Sequence, residues 1–348
     1  MDESEQTLMG IFFCQDPLWN HYLARLPHKM QDLYHTSEYH RAHEINGDGT
    51  PLLFVYESQG ELGLYPFIKN QVPDCGLNGK YYDIQSIYGY SGPLTSTDDN
   101  RFCREFENAF LDYANSACIV AEFVRFHPLL NNYGIFTNNI DVIFDRQTVV
   151  LELHNDLEYI QNHQLSSNGR RDIRVAQRKG VTTEISNNSS AFTEIYKDTM
   201  IRLNAEKYYH FNNHYFSDIA DMSSTVFVDA YIEKKIVASA IFFVFGSYCS
   251  YHLSGSVKDF SSYCPMNLLL WDAINYAKEK KCKTFHLGGG RTPKSDDSLL
   301  HFKSNFSKDR AMYHIGKRIL NTSVYDELIG QWEEKNNKRA TILLEYRN

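Results

Sequence analysis

"PMNLLLWDAINYAKEKKCKTFHLGGG", residues 265–290, is the stretch whose reading decides the fold. Pro265 stands in the first turn of an apolar-periodic run that ends on Lys278, Lys280 and Lys281. A proline at the start and cations at the end are what the orphan amides and carbonyls of a helix favour. "KTFHLGGG" follows as a strand, closed by Gly288, Gly289 and Gly290. Upstream, "TVFVDAYIEKKIVASAIFFVFGSYCSYHLSGS" (225–256) reads as a run of strands with a turn at Glu233-Lys234-Lys235. Strands that alternate with an amphipathic helix predict a mixed α/β fold.

The first half repeats this grammar. "PLLFVYESQGELGLYPFIK" (51–69) predicts a strand hairpin turning near Gly60. "DDNRFCREFENAFLDYANSA" (98–117) sets Phe102, Phe106, Ala109, Phe110 and Tyr113 on one helical stripe, capped by Asp98 or Asp99. "IVAEFVRFHPL" (119–129) is then a buried strand. In each half a strand ends near a glycine (Gly89 in "YGYSGPL", Gly255 in "YHLSGS"), a loop leads to a helix, and a strand begins near Ile119 or Thr284. The two spacings nearly agree, which predicts two divergent copies of one strand–loop–helix–strand unit. The boundary falls around residues 147–165, giving domains 1–150 and 151–348.

The totals bound the function. The chain has 348 residues, 43% hydrophobic and 22% charged, which is ordinary for a globular protein with two cores. Its net charge of −8 argues against general affinity for nucleic acid or an anionic membrane, so a polyanion has to meet a local basic patch, and no DNA partner is expected. The acidic start "MDESEQTLMGIFF" is no secretory signal, and no apolar run is long enough to span a bilayer. Seven cysteines without a CxxC pair predict reduced, mostly buried thiols and a cytoplasmic protein.

Several segments carry candidate chemistry. "SSNGRRDIRVAQRKG" (166–180) places Arg170, Arg174 and Arg178 at four-residue spacing with Arg171 alongside, a stripe suited either to phosphates or to solvent. "YKDTMIRLNAEKYYHFNNHYF" (196–216) reads as a helix followed by an aromatic cluster. His210 and His214 lie four apart there but lack a third metal ligand, so no metal is expected. The histidines of "YHTSEYHRAHE" (34–44), His35, His40 and His43, read as surface. A Walker loop, a dinucleotide GxGxxG and a GxSxG are all absent. Gly288–Gly290 at a strand end suit close approach of a ligand to the backbone, and Lys303 in "FKSNF" suits a developing oxyanion or phosphate. A tight turn with a solvated lysine accounts for them equally.

The runs "LWDAINYAKEKKCKTFHLGGGRTPKSDDSLLHFKSNFS", "IGKRILNTSVYDEL", "YYDIQSIYGYSGPL" and "EFVRFHPLLNN" resemble the FemAB-like and BioF-associated acyltransferases of the GNAT superfamily. The resemblance covers about residues 30–330 and is most specific over "HLGGG…DSL…FK..FS". It implies two tandem GNAT-like domains, each a mixed twisted sheet flanked by helices. It also implies acyl transfer to an amine of a cell-envelope or surface-polysaccharide precursor, nucleotide- or lipid-linked. Acyl-CoA is the expected donor, with aminoacyl-tRNA as the alternative (a FemX-type peptidoglycan precursor aminoacyltransferase). A catalytically silent protein that binds a precursor or a partner is a third reading. The segment "SGSVKDFSSYCPMN" departs from the usual coenzyme-binding loop, having no glycine beyond Gly255, and no heptad run stands for the helical arm of the bridge enzymes.

Residue by residue, the resemblance implies that Lys303 and Asp297 are catalytic, Lys303 at the oxyanion and Asp297 or the substrate itself taking the amine proton. Arg202, Tyr208, Tyr209 and His252 are implied for substrate, together with Tyr88, Gly89, Tyr90 and Arg125, which are expected to face a groove between the domains. Arg170, Arg171 and Arg174 with Gly288, Gly289 and Gly290 are expected at donor phosphates.

Overall fold

The computed structural model describes residues 7–186 and 188–347, so the acidic stretch Met1–Gln6 lies outside the described residues. The chain forms two compact units: residues up to Asp145 together with those from Tyr313 onward, and Arg146–Met312.

The first unit begins with β1 (Leu8–Phe13), α1 (Leu18–Arg25) and α2 (Ser37–Asn46). The predicted hairpin follows as β2 (Thr50–Ser58) and β3 (Glu61–Gln71), turning at Gln59-Gly60, both with positive φ. Next come β4 (Tyr82–Gln85), β5 (Leu94–Thr95), α3 (Asn100–Ser116) and β6 (Ile119–Arg125). β1 to β4 pair antiparallel in sequence order, and β4 pairs parallel with β6 across the helix between them. Asp99 is the cap of α3, accepting from the amides of Arg101 and Phe102. The predicted stripe buries Phe102, Phe106 and Phe110 against Phe54 and Tyr65. Each ring so buried contributes about 2–3 kcal/mol.

The second unit runs through β7 (Asp141–Glu152, entering from the first unit), α4 (Leu157–Tyr159), α5 (Ser167–Arg178), β8 (Val181–Ser186), α6 (Ser189–Arg202) and α7 (Asn213–Asp221). β9 (Thr225–Ile232), β10 (Lys235–Phe245), β11 (Tyr248–Ser256), α8 (Pro265–Glu279), β12 (Thr284–Gly289) and α9 (Ser298–Lys303) complete it. β8 to β11 pair antiparallel in order, β11 pairs parallel with β12 across α8, and β7 closes the set antiparallel to β12. The mixed α/β class and the repeat are therefore both present. In each unit four strands pair antiparallel in order, and the fourth of them pairs parallel with the next across one helix.

β13 (Arg310–Ile319) and α10 (Thr322–Asn336) take the chain back to the first unit. Ile315–Ile319 pair antiparallel with β6, the place that β7 fills in the second unit. Val324, Leu328 and Trp332 of α10, with Leu344 and Tyr346, pack on Val120 and Ala121. Residues 313–348 thus lie with the first unit, whereas a single boundary at 150 put them with the second. Pairing with a strand two hundred positions upstream leaves no local pattern to read.

One expectation of the sequence is corrected. His35, His40 and His43 are buried, each at most 1% exposed. Tyr39, His40 and His43 form one inward stripe of α2, where His40 packs on Trp19 with ring centroids 4.9 Å apart and His43 faces Asp48 at 2.5 Å. All seven cysteines are free thiols, and Cys14, Cys75, Cys249 and Cys282 are buried. Among the described residues no helix is long and apolar enough to cross a membrane.

Candidate active site

The end of β12 departs from a regular strand. Gly288 takes φ +74° and sits at a bulge in the pairing with β7, which redirects the two residues after it. A left-handed φ favours glycine, because a Cβ there strains the backbone. Past the bulge, the loop 291–297 folds around one carboxylate. Asp297 accepts from the amides of Leu299 and Leu300 at 2.9 and 3.0 Å, capping α9. It also accepts from the Arg291 and Thr292 amides at 3.1 and 3.0 Å and from the Thr292 hydroxyl at 3.1 Å. Burial works against the charged form, but these donors outweigh it and hold the carboxyl below the usual carboxylate range. A carboxylate so saturated is a poor proton acceptor. Its place in the fold is that of a cap and loop organiser, which does not support Asp297 as the base.

α9 presents Lys303 inward. The side chain is 7% exposed, between Phe302 and the fully buried Phe306. Its Nζ donates to the Gly289 carbonyl at 2.8 Å and lies 5.3 Å from the Tyr251 ring centroid. Burial pushes its pKa down to about 7, with Asp297 opposing the fall and Arg146 adding to it. Burial sets aside the account of a solvated lysine. A desolvated ammonium is costly to keep, because burial disfavours its charged form.

Two partners of this group escaped the sequence reading. Arg146 on β7 donates to the Gly290 carbonyl at 2.9 Å from 144 positions away, and Tyr251 on β11 lies under Lys303. Arg146 sits inside an ordinary strand pattern, so nothing local marks it.

The remaining candidates of the second unit fall into two places. Arg202 donates to the Ser256 carbonyl at 3.0 Å, at the end of α6. The Tyr209 carbonyl accepts from the Tyr196 hydroxyl at 2.8 Å, and Tyr208 packs edge-on against Tyr209 with 43% of its surface exposed. His252 is hydrogen-bonded to the Tyr215 hydroxyl at 2.9 Å and packs tilted on Phe243, with ring centroids 4.4 Å apart. These four gather where α6 and α7 meet β11. Gly255 permits that meeting, since a Cβ there would stand 2.7 Å from the Ile195 carbonyl oxygen.

The arginine stripe of α5 separates by partner. Arg170 donates to the carbonyls of Leu165, Asn162 and Gln161 at 2.5, 3.1 and 3.4 Å, closing the turns before α5. That engagement corrects its expected role at donor phosphates. Arg171 pairs with Asp172 at 2.9 Å, and Arg174 is exposed. His210 and His214 are both exposed beside the stacked Phe211–Tyr215 pair, and no group of three ligands that could hold a metal occurs among the described residues.

In the first unit the structure brings Tyr88, Gly89, Tyr90 and Arg125 together. The Tyr88 carbonyl accepts from the Tyr39 hydroxyl at 2.9 Å, and Gly89, at φ +95°, leaves room for the Tyr34 ring. Tyr90 packs edge-on against Tyr34, His127 and Tyr313, while Arg125 donates to the Ser86 carbonyl at 3.1 Å and lies over Phe123.

A tandem α/β fold in which a buried lysine meets a glycine-rich strand end defines the class by its architecture. Within it the chain is FemAB-like, and residues 224–309, which span β9, β10, β11, α8, β12 and α9, match the FemAB family. Over 224 residues the chain is 25% identical to UDP-N-acetylmuramoylpentapeptide-lysine N(6)-alanyltransferase of Weissella viridescens. That match covers 60% of this chain and 66% of the relative, just under two thirds of its length. The crystal structure of FemX superposes with a TM-score of 0.68 at 16% identity, covering 91% of this chain and 99% of that one. L-PGS from Bacillus licheniformis gives 0.58 at 14% identity, covering 87% and 92%. These two likenesses speak to the fold alone.

The acyl-CoA expectation is overturned by these matches. The relative is named for alanyl transfer to a lysine amine of a UDP-linked muramoyl pentapeptide, so neither a coenzyme A donor nor a surface-polysaccharide acceptor is supported.

Proposed function

We propose that this chain is an aminoacyltransferase that moves an aminoacyl group from aminoacyl-tRNA to an amine of a peptidoglycan precursor. The observation that carries the reading is Lys303, the buried, near-neutral lysine at the end of the segment that matches the FemAB family. The alanyltransferase relative supplies the acceptor class, a lysine side-chain amine on a nucleotide-linked muramoyl peptide.

The chemistry is aminolysis of an ester. The acceptor's neutral amine attacks the aminoacyl carbonyl, forming a C–N bond and a tetrahedral oxyanion. Collapse breaks the ester C–O bond, the ribose hydroxyl leaves, and the proton lost by the amine ends on that hydroxyl. Lys303 in its ammonium form donates to the oxygen that carries the charge, in a setting dry enough for that contact to count. With a proton affinity near neutrality it also passes a proton to the leaving oxygen at little cost. The exposed Arg174 and Arg202, on α5 and α6, are the cations offered to the acceptor-stem or precursor phosphates in this reading.

The test is direct. Purified protein is supplied with UDP-N-acetylmuramoyl pentapeptide and either alanyl-tRNA or acetyl-CoA, and the products are weighed by mass spectrometry. A peptide heavier by one alanyl group with the tRNA donor alone supports the proposal. Transfer from the coenzyme, or from neither donor across a panel of aminoacyl-tRNAs, overturns it, and the second result returns the chain to a silent binding role.

A further inference from the structure

Two cations hold two successive carbonyls at the end of β12. Lys303 Nζ donates to Gly289 O at 2.8 Å, and Arg146 donates to Gly290 O at 2.9 Å. One comes from α9 and the other from β7, so the two peptide units that meet at Gly290 are each held from a different direction. Gly289 is shaped to this arrangement: a Cβ there would stand 3.0 Å from Arg146 Cδ and 3.3 Å from the Gln147 carbonyl oxygen. On the other side, a Cβ at Gly290 would collide with the Asp297 carboxylate.

A Gly–Gly peptide is the softest piece of backbone a chain can offer, since neither residue restricts its own rotation. An ammonium on a flexible four-carbon stem that takes its position from such a carbonyl would wander with it. An N–H of the Arg146 guanidinium on the next carbonyl restricts that freedom. It also places a second positive charge beside a lysine that is already desolvated, which disfavours the ammonium form.

We propose that Arg146 is the positioning residue of Lys303, pinning the Gly290–Arg291 peptide next to the carbonyl that holds the lysine, so that the lysine amine stays in one place. The role rests on the reading of Lys303 as the acyl-transfer lysine. The charged and titratable groups around that amine are Arg146 from β7, Asp297 from the loop before α9 and Tyr251 from β11. Arg310 of β13 reaches the same helix at the Ser304 hydroxyl, 2.7 Å away.

The experiment reads the lysine itself as well as turnover. Trace acetic anhydride labels the protein at a series of pH values, and the Lys303 peptide is quantified by mass spectrometry in wild type, Arg146→Met and Arg146→Lys. Removing the guanidinium in Arg146→Met is expected to raise the labelling midpoint of Lys303 by about one pH unit. The alkaline limb of kcat/KM, where the ammonium form is lost, should follow, with kcat falling about tenfold or more and KM changing little. Arg146→Lys, which keeps the charge but not the fork, is expected to hold the midpoint and still lose kcat, a result that stands even where Arg146→Met does not fold. A Lys303 midpoint and kcat unchanged in both variants overturns the proposal. A shifted midpoint in Arg146→Met with kcat unchanged in both variants also overturns it, because loss of the charge alone moves the midpoint, whereas no aminoacyl transfer by the wild type sinks the proposed function instead.

Discussion

Arg318 Nε donates to Glu122 Oε2 at 2.7 Å, with both residues fully buried in the first unit. The second carboxylate, Glu107, accepts from Arg318 Nη1 at 2.9 Å, and the Tyr65 hydroxyl donates to the other oxygen of Glu122 at 2.5 Å. Burial opposes the charge on Arg318, yet the two carboxylates prevail and hold its pKa above the ordinary value. This contact ties β13 to β6, so it fixes the returning chain to the unit that it left. Arg318→Met strands two carboxylates without a cation and is expected to cost about 3–5 kcal/mol in urea unfolding. Adding Glu107→Gln and Glu122→Gln should recover part of that loss. A cost below about 1 kcal/mol in the single variant would show that the cluster does not lock the return strand.

Lys303 is expected to trade stability for function. Its pKa is near 7 in the fold against 10.5 for an exposed lysine, so the unfolded chain binds more protons between those values. Stability attributable to this residue therefore rises with pH across that window, and at pH 7 most of the cost remains. Lys303→Met should lower turnover by about a hundredfold or more while raising the melting temperature at neutral pH. Calorimetry beside the transfer assay checks both signs. A variant that is both inactive and less stable would mean that the lysine holds the core together.

Asp297 serves to separate a cap from a base. Asp297→Asn retains an acceptor for the amides of α9, so it should cost about 1–2 kcal/mol and leave measurable turnover. A carboxylate that takes the reaction proton would lose about a thousandfold on the same change. Steady-state kinetics at saturating substrate decides between them, and the five donors already on this carboxylate favour the smaller loss.

Acid should unfold the protein early, by way of the first unit. Burial pushes the pKa of His35 and of His40 down to about 3, so both are neutral in the fold. The unfolded chain takes up protons near 6.5, and stability falls as the pH drops from there toward 3. Each histidine contributes about 1.4 kcal/mol per pH unit within that interval. Denaturant midpoints measured at falling pH should therefore decline steeply below pH 6, and His40→Gln should flatten the decline. An unchanged slope in that variant would show that other groups carry the acid sensitivity.

Much of the local structure could be read from neighbours in sequence. The α8–β12 joint follows from Pro265, the lysines and the run into Gly288, and α3 follows from its phenylalanine stripe and Asp99. Lys303 was legible because the motif around it is contiguous. The histidines of α2 were misread because a histidine scores as polar, whereas Tyr39, His40 and His43 form a stripe whose partners, Trp19 and Asp48, come from other elements. The arginines of α5 illustrate the opposite error. Their spacing is regular, but Arg170 is engaged by carbonyls of the preceding turns.

The amino-acid sequence by itself determined the elements, their repetition in two halves and the lysine at the end of "HLGGG…FK", because periodicity, caps and glycine breaks act over a few residues. Tertiary structure alone decided that Lys303 is desolvated, that Arg146 shares its strand end from 144 positions away, and that β13 returns to β6. Burial and strand pairing depend on which distant segments the folded chain brings together, and no short-range preference encodes that.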